Sequence, residues 1–322
     1  MKILVVGGAG YVGSVLIPKL LDRGYGVGVV DLFWFGNYLP KEAKVIEKDV
    51  FHLKESDLKD YDQVIFLAGL SNDPMAECAP AMNFIFNNAA PTYLAYIAKK
   101  AGVKRFIYAS SCSIYGYRVN ELCDEDSGTM KTCSFPYGIS KFQGEQGCLQ
   151  MVGDTFSVIC LRKGTISGYS PRMRLDLIVN MMFKCAIKDA KIAVTNPSLW
   201  RPILAIQDAA TAYVRAIESE SSVSGVFNIS SGNYTVGEVA DVVAQRVGKN
   251  VKVDIQHIPD LRSYKVKTEK ARDVLGFKAT FDVKDIVEEL ADNLHRFGDF
   301  GNPKYSNIEV FKGIKKWELE NI

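Results

Sequence analysis

Histidine is scarce in this chain: His52, His257 and His295 are the only three in 322 residues, and none lies close in sequence to another or to a cysteine. That spacing argues against a zinc site and against a Ser-His-Asp triad, so acid–base work falls to other side chains. An excess of one charge is also lacking. Lys+Arg number 39 against 37 Asp+Glu, a formal net charge of +2, which offers no footprint for a nucleic acid or a membrane surface. No apolar run approaches the roughly 18 residues of a spanning helix. Met1-Lys2-Ile3-Leu4-Val5-Val6 runs straight into a glycine cluster without a small-residue cleavage pattern, so it reads as a strand rather than a signal peptide. Seven cysteines, at positions 78, 112, 123, 133, 148, 160 and 185, include no C-x-x-C pair; they read as reduced thiols of a cytoplasmic protein.

What is present is a chain long enough for one large domain or two small ones, with 48% hydrophobic residues, 26 Gly and 11 Pro. Those values exclude collagen-like, disordered and disulfide-scaffold classes. Short apolar runs at 3–6, 27–30 and 64–68 alternate with a 3.6-residue pattern over 12–21, which is the grammar of βαβ units and predicts a parallel sheet. The spacing further predicts a long helix over 84–98, a strand over 105–109, a helix over 140–151 and a strand over 157–161. Beyond residue 165 the pattern loosens, with Pro171, Pro197 and Pro202 among Arg172, Arg174 and Arg201. It resumes as a helix over 207–217, a strand over 225–229 and a helix opened by Thr235 and Glu238 at capping-box spacing. The tail over 298–322 reads either as a docked extension or as a cover over a site.

Two patterns carry chemistry. Gly7-Gly8-Ala9-Gly10-Tyr11-Val12-Gly13 follows the first strand and opens the first helix, so backbone amides and a helix N-terminus would face a pyrophosphate. Asp31 closes the second strand, placed to accept from an adenosine ribose and to repel a 2′-phosphate, which favours NAD over NADP. Asp49-Val50 ends a third predicted strand and could meet the adenine, or be a surface turn. The second pattern is Tyr137-Gly138-Ile139-Ser140-Lys141, a phenol and an ammonium on one helical face. The cation is expected to lower the tyrosine toward the working pH. Tyr96 and Lys100 repeat the spacing, but no hydroxyl-rich segment precedes them, whereas Tyr137 follows Ser110-Ser111-Cys112-Ser113 at the end of a predicted strand. Tyr96 and Lys100 read as an exposed face or a dimer contact.

The glycine run 7–13, Asp31, Leu67-Ala68-Gly69, Asn88, Ser110-Ser111 leading to Tyr115-Gly116, Tyr137 with Lys141, and Leu161-Arg162 occur in the order of the extended short-chain dehydrogenase/reductase family. Over about residues 1–297 the chain resembles its nucleotide-sugar epimerase/dehydratase branch. The resemblance implies an α/β fold: a Rossmann-type doubly wound parallel sheet holding NAD (1–165 with about 203–233) and a smaller C-terminal α/β domain holding a nucleoside diphosphate sugar (166–202 and 234–322). It implies catalytic roles for Ser111, Tyr137 and Lys141. Cofactor contacts fall to Gly7, Gly10, Tyr11, Val12, Gly13, Asp31, Asp49, Val50, Leu67, Ala68, Gly69 and Asn88, together with Tyr137 and Lys141. The substrate side comprises Ser111, Ser113, Lys163, Thr165, Asn180, Arg201 and Arg262. No metal is implied, and a homodimer through helices 84–100 and 140–151 is.

The resemblance also narrows the reaction. Dehydrating members carry Asp-Glu immediately after the catalytic hydroxyl residue, and decarboxylating members keep a glutamate at the second of these positions. Here Cys112 and Ser113 stand there, and Cys112 reads as a small buried residue. What remains is chemistry at C4 needing only Ser, Tyr, Lys and nicotinamide. The expected activity is 4-epimerization through a transient 4-keto sugar; the alternative is a 4-dehydrogenase or 4-ketoreductase with net redox. A cofactor-sensing protein without activity would have a damaged Tyr–Lys pair or glycine run, and both are intact. Lys163-Gly164-Thr165 replaces an aromatic pair and an asparagine of galactose-type epimerases, so the sugar wall differs. Arg172 and Arg174 would either suit an acidic sugar or form a solvated loop.

Overall fold

Ile3-Leu4-Val5-Val6 is apolar at every position rather than at alternate ones, which suits a strand covered on both faces, and all four residues are buried. The computed structural model describes residues 1–127, 135–248, 250–256 and 262–314. Seven strands form one sheet: β1 (Lys2–Val6), β2 (Gly26–Asp31), β3 (Lys44–Glu47), β4 (Gln63–Phe66), β5 (Arg105–Ser111), β6 (Ser157–Lys163) and β7 (Gly225–Ile229). Every neighbouring pair is parallel, and the spatial order is β3-β2-β1-β4-β5-β6-β7. Winding reverses between β1 and β4, and there the carboxyl ends of the strands part to leave a crevice. The parallel pairing is what the alternation predicts, and the doubly wound order is what the resemblance implies.

Outside this sheet the chain builds smaller ones, mostly from residues past β6. Thr165–Ser167, Trp200–Ala205 and Gly232–Thr235 form one; Lys191–Thr195 pairs with Lys252–Gln256, and Tyr117–Cys123 with Ser263–Val266. The capping box is present: the Thr235 hydroxyl accepts from the Glu238 N–H and the Glu238 carboxylate from the Thr235 N–H. Leu16 and Ile17 of the first helix share one apolar cluster with Phe183, Ile203, Tyr213 and Val239. The C-terminal elements are thus welded to the sheet by a common core.

Two helices differ from their expected bounds. The one expected over 84–98 is Pro80–Phe84, then a π-turn at Ile85–Ala89, then Ala90–Lys100. Pro91 has no N–H to continue an ordinary ladder, and the turn is widened so that the Ala90 N–H reaches back to the Ile85 carbonyl. The helix expected from 140 begins at Pro136 and runs to Leu149, with proline in the first turn where its missing N–H costs nothing. Tyr137 and Lys141 therefore both lie inside it. The tail is described as far as Ile314, and positions 315–322, like Cys133 and His257, lie outside the described residues.

Beneath the crevice lies a buried ion pair. Arg162 of β6 meets Glu145 of the helix Pro136–Leu149 at 2.6 Å, with side chains 2% and 0% exposed. Glu145 also accepts from Ser110 at 2.7 Å, and Arg162 donates to the Tyr115 hydroxyl and the Glu125 carbonyl. Glu145→Ala would strand the guanidinium out of water, and urea unfolding should show a loss of about 3–5 kcal/mol. Glu121→Ala, which removes the exposed partner of Arg118, should cost under about 1 kcal/mol.

Candidate active site

The chain leaves β1 through Gly7 at φ +79°, its N–H bound to the Val30 carbonyl at 2.8 Å. A methyl group at Gly7 would lie 2.4 Å from the Ala68 nitrogen, and one at Gly13 would lie 2.1 Å from the Gly8 carbonyl oxygen. Only a turn without side chains packs this closely and passes directly into the helix Gly13–Leu21. At Gly10 an added methyl would touch only the Gly7 oxygen, at 3.4 Å, so that position stays open. Over the turn lies a cavity of about 590 Å³.

Asp31 ends β2 beside this cavity. One carboxylate oxygen accepts from the Ala9 N–H at 2.8 Å and the other from the Phe33 N–H at 2.9 Å, so the side chain also shapes the glycine turn. Burial raises its pKa against the opposition of these amides. Asp49 caps the turn Val50–His52 by accepting from the Phe51 N–H, and lines the cavity with Val50, Leu67, Ala68 and Gly69. Tyr11 and Val12 line it too; the Tyr11 hydroxyl is anchored, donating to the Gly168 carbonyl at 2.6 Å and accepting from Asn180 at 3.1 Å.

At the reacting end Ser111 and Lys163, the last residues of β5 and β6, are partners in register, which brings their side chains out on the same face. Ser111 lies close enough to Tyr137 to favour its ionised form, and its hydroxyl accepts from the Ser113 N–H at 3.1 Å. Lys141 donates to the Ala109 carbonyl at 3.1 Å, and its ammonium lies 6.0 Å from the Tyr137 ring centre. The expectation that Lys141 lowers the phenol is corrected here: burial is the largest influence and pushes Tyr137 up, with Ser111 pulling the other way. Lys141 is itself pushed down by burial and by neighbouring Lys163, and burial brings Lys163 down to about 8. Cys112 is fully buried, and its thiol is pushed up. Tyr96 and Lys100 sit on an exposed face, with Lys100 paired to Glu55, so the second Tyr–Lys pair does not reach the cavity.

The cavity's other arm holds Thr165, Ser113, Arg201 and Arg262. Arg201 donates to the carbonyls of Trp200 and Arg262, and Arg262 pairs with Asp73 at 2.7 Å. All the residues assigned a catalytic, cofactor or substrate role from the sequence line this one cavity except Asn180 and Asn88. Asn180 is turned into the protein, accepting from the Gly168 N–H and donating to the Arg174 carbonyl. Asn88 presents its carbonyl to the Thr92 hydroxyl. The π-turn points Asn87 inward instead, donating to the Leu70 carbonyl, with its amide oxygen only 2.2 Å from where a methyl on Gly69 would sit.

Several lining residues escaped the sequence reading or were left open by it. Asp73 follows Asn72, which caps a short helix, and Asn-Asp-Pro is a helix-start signal that could have placed it near the crevice. Arg172 and Arg174 are buried cavity residues, not a solvated loop. Arg172 stacks on Phe35 at 3.8 Å and donates to Asn307, while Arg174 grips Asp176 with two bonds of 2.9 Å. Asn307, which also donates to Ser71, comes from the tail, and Phe311 beyond it packs on Trp34. The tail is therefore a cover over the site, and no local pattern marks Asn307.

Asp31→Asn keeps size and removes charge. Fluorescence titration should show NAD binding weakened by roughly tenfold with a higher NADP-to-NAD affinity ratio; an unchanged ratio would mean that Asp31 does not select the cofactor.

Residues 3–230 match the model of the NAD dependent epimerase/dehydratase family. The UDP-glucose 4-epimerase of Corynebacterium glutamicum is 27% identical over 326 residues, spanning 93% of this chain and 97% of its own. Among solved structures, MoeE5 in complex with UDP-glucuronic acid and NAD has a TM-score of 0.81 at 26% identity, covering 92% of this chain and 99% of that one. The Thermotoga maritima UDP-glucose 4-epimerase with UDP-glucose has a TM-score of 0.80 at 24% identity, covering 91% and 100%, a likeness of fold. On the family match and the geometry together, the chain belongs to the NAD dependent epimerase/dehydratase family.

Proposed function

We propose that this protein is an NAD-dependent nucleotide-sugar epimerase that inverts C4 through a transient 4-keto sugar. The observation that carries the reading is the convergence of Ser111, Tyr137 and Lys141 on one cavity, with the Lys141 ammonium 6.0 Å from the Tyr137 ring centre. Chemistry at a second carbon would need a further free acid or base. The carboxylates lining this part of the cavity, Asp73 and Asp176, are held by Arg262 and Arg174.

The residues fit NAD. The side-chain-free turn and helix N-terminus suit its pyrophosphate, Asp31 its adenosine ribose, and Val50, Leu67, Ala68 and Gly69 wall the groove. NAD held there would supply reversible hydride exchange at C4, and inversion follows when the 4-keto sugar presents its other face. Ser111 and Tyr137 together hold the C4 oxygen. Tyr137, as phenolate, takes the hydroxyl proton and gives it back. Burial opposes that phenolate, so its formation leans on Ser111 and on the positive charge of the chamber. Arg201 and Arg262 grip the diphosphate, while Ser113, Thr165 and Lys163 wall the sugar.

The helices Ala90–Lys100 and Pro136–Leu149 lie side by side and carry exposed Tyr96, which supports a homodimer through a four-helix bundle. The free thiols at Cys78, Cys112, Cys123, Cys148, Cys160 and Cys185 suit the cytoplasm.

Purified protein without added cofactor should invert C4 of a UDP-, GDP-, dTDP- or CDP-sugar by the sugar H4 NMR signal, with no lasting absorbance of reduced nicotinamide. A stoichiometric rise in that absorbance with a 4-keto product would make it a dehydrogenase. Tyr137→Phe should lower kcat by about 10²–10⁴-fold. Light scattering should give twice the 35.7 kDa chain mass, and a monomer mass would remove the dimer.

A further inference from the structure

The cationic side chains that line the cavity differ in what answers their charge. Arg174 is gripped by Asp176 and Arg262 by Asp73; Arg172 has Asn307 and the Phe35 ring, and Lys141 has the Ala109 carbonyl. Lys163 has only an aromatic ring, that of Tyr213. Among the described residues no carboxylate pairs with it and no acceptor is hydrogen-bonded to it. Its ammonium lies 5.7 Å from the Tyr213 ring centre, in the same wall as Thr165 and beside a second lysine. The Tyr213 hydroxyl is itself buried with no partner among the described residues. Placing an ammonium against another cation in a largely apolar wall is costly unless an anion arrives to meet it.

That anion is not a phosphate of either ligand. The cofactor's pyrophosphate belongs at the glycine turn and the substrate's diphosphate at Arg201 and Arg262, whereas Lys163 is the register partner of Ser111 at the reacting end. With neighbouring strands about 4.8 Å apart, the ammonium stands beside the carbon whose oxygen Ser111 and Tyr137 hold. The substituents within its reach are those on the next carbons of the ring. A hydroxymethyl group at C5 would leave the charge unanswered; a carboxylate there would answer it with a charge-assisted hydrogen bond.

We infer that Lys163 selects nucleoside-diphosphate hexuronic acids, sugars that carry a carboxylate at C5, over their neutral counterparts. This rests on the C4-epimerase reading above for the placement of the sugar. The ammonium fixes the ring through its acid group, so its contribution falls on binding of the sugar more than on hydride or proton movement.

The test uses the NAD-loaded, full-length protein with matched pairs, UDP-glucuronate against UDP-glucose and the corresponding dTDP and GDP pairs. Calorimetry should show the acid bound about 10–100-fold tighter than the neutral sugar. Lys163→Met should abolish that ratio, Lys163→Arg should restore part of it, and the acid's kcat/KM should fall chiefly through KM. Equal binding of acid and neutral sugar, no binding of any of the acids, or an equal loss for both members of a pair in Lys163→Met would each overturn the inference; the last is what a merely structural lysine would give. If Lys163-dependent preference for the acid is found while no sugar is inverted at C4, the inference stands and the epimerase reading falls.

Discussion

Arg162 and Glu145 are opposite charges withdrawn from water, and the interaction is tolerable because few of their hydrogen-bonding positions are idle. Both oxygens of Glu145 receive the guanidinium, at 2.6 and 3.0 Å, and one also receives Ser110. The remaining guanidinium nitrogen reaches Tyr115 and the Glu125 carbonyl, and Tyr115 passes the chain of bonds to Asn228 on β7. One network thereby clamps the helix of Tyr137 and Lys141 to three adjacent strands. Ser111 is the next residue after Ser110, and Lys163 the next after Arg162. The reacting groups are single residues beyond a rigid lattice, and such support from beneath keeps a constellation within the tolerance that catalysis requires.

Local signals of the sequence translated well into this framework. Unbroken apolar runs gave buried parallel strands, and the glycine run gave a turn that no other residue type could pack. Thr235 and Glu238 gave the capping box that their spacing promised. The two Tyr–Lys pairs, equal by spacing, were separable because only Tyr137 has a hydroxyl strand end opposite it. Failures came where geometry depends on more than spacing. A π-turn shifts the phase of a helix by one residue, so Asn87 faces inward where the resemblance implies Asn88. Asn180 looks like a ligand group but is consumed by Gly168, Tyr11 and Arg174.

Electrostatics shows the same limit. A lysine four residues from a tyrosine suggests a lowered phenol when the pair is considered alone. In the folded chain both groups are out of water, and desolvation moves them in opposite directions, each toward its neutral form. The chamber is therefore primed to respond to charge carried in by its ligands, because each added charge there acts through a poorly screening medium.

The cover supplied by the C-terminal segment has a consequence for how the molecule comes into being. Asn307 bridges Arg172 and Ser71, and its N–H binds Asp176, so one wall of the cavity is built from residues synthesised long after the glycine turn and the Tyr–Lys pair. The parallel sheet up to β6 can collapse while later residues are still being made, but the pocket cannot close around anything until the helix Asn307–Gly313 has left the ribosome. Loading waits on that helix: a product truncated or stalled before it would possess the glycine turn and the Tyr–Lys pair, yet lack the wall that keeps small molecules from escaping.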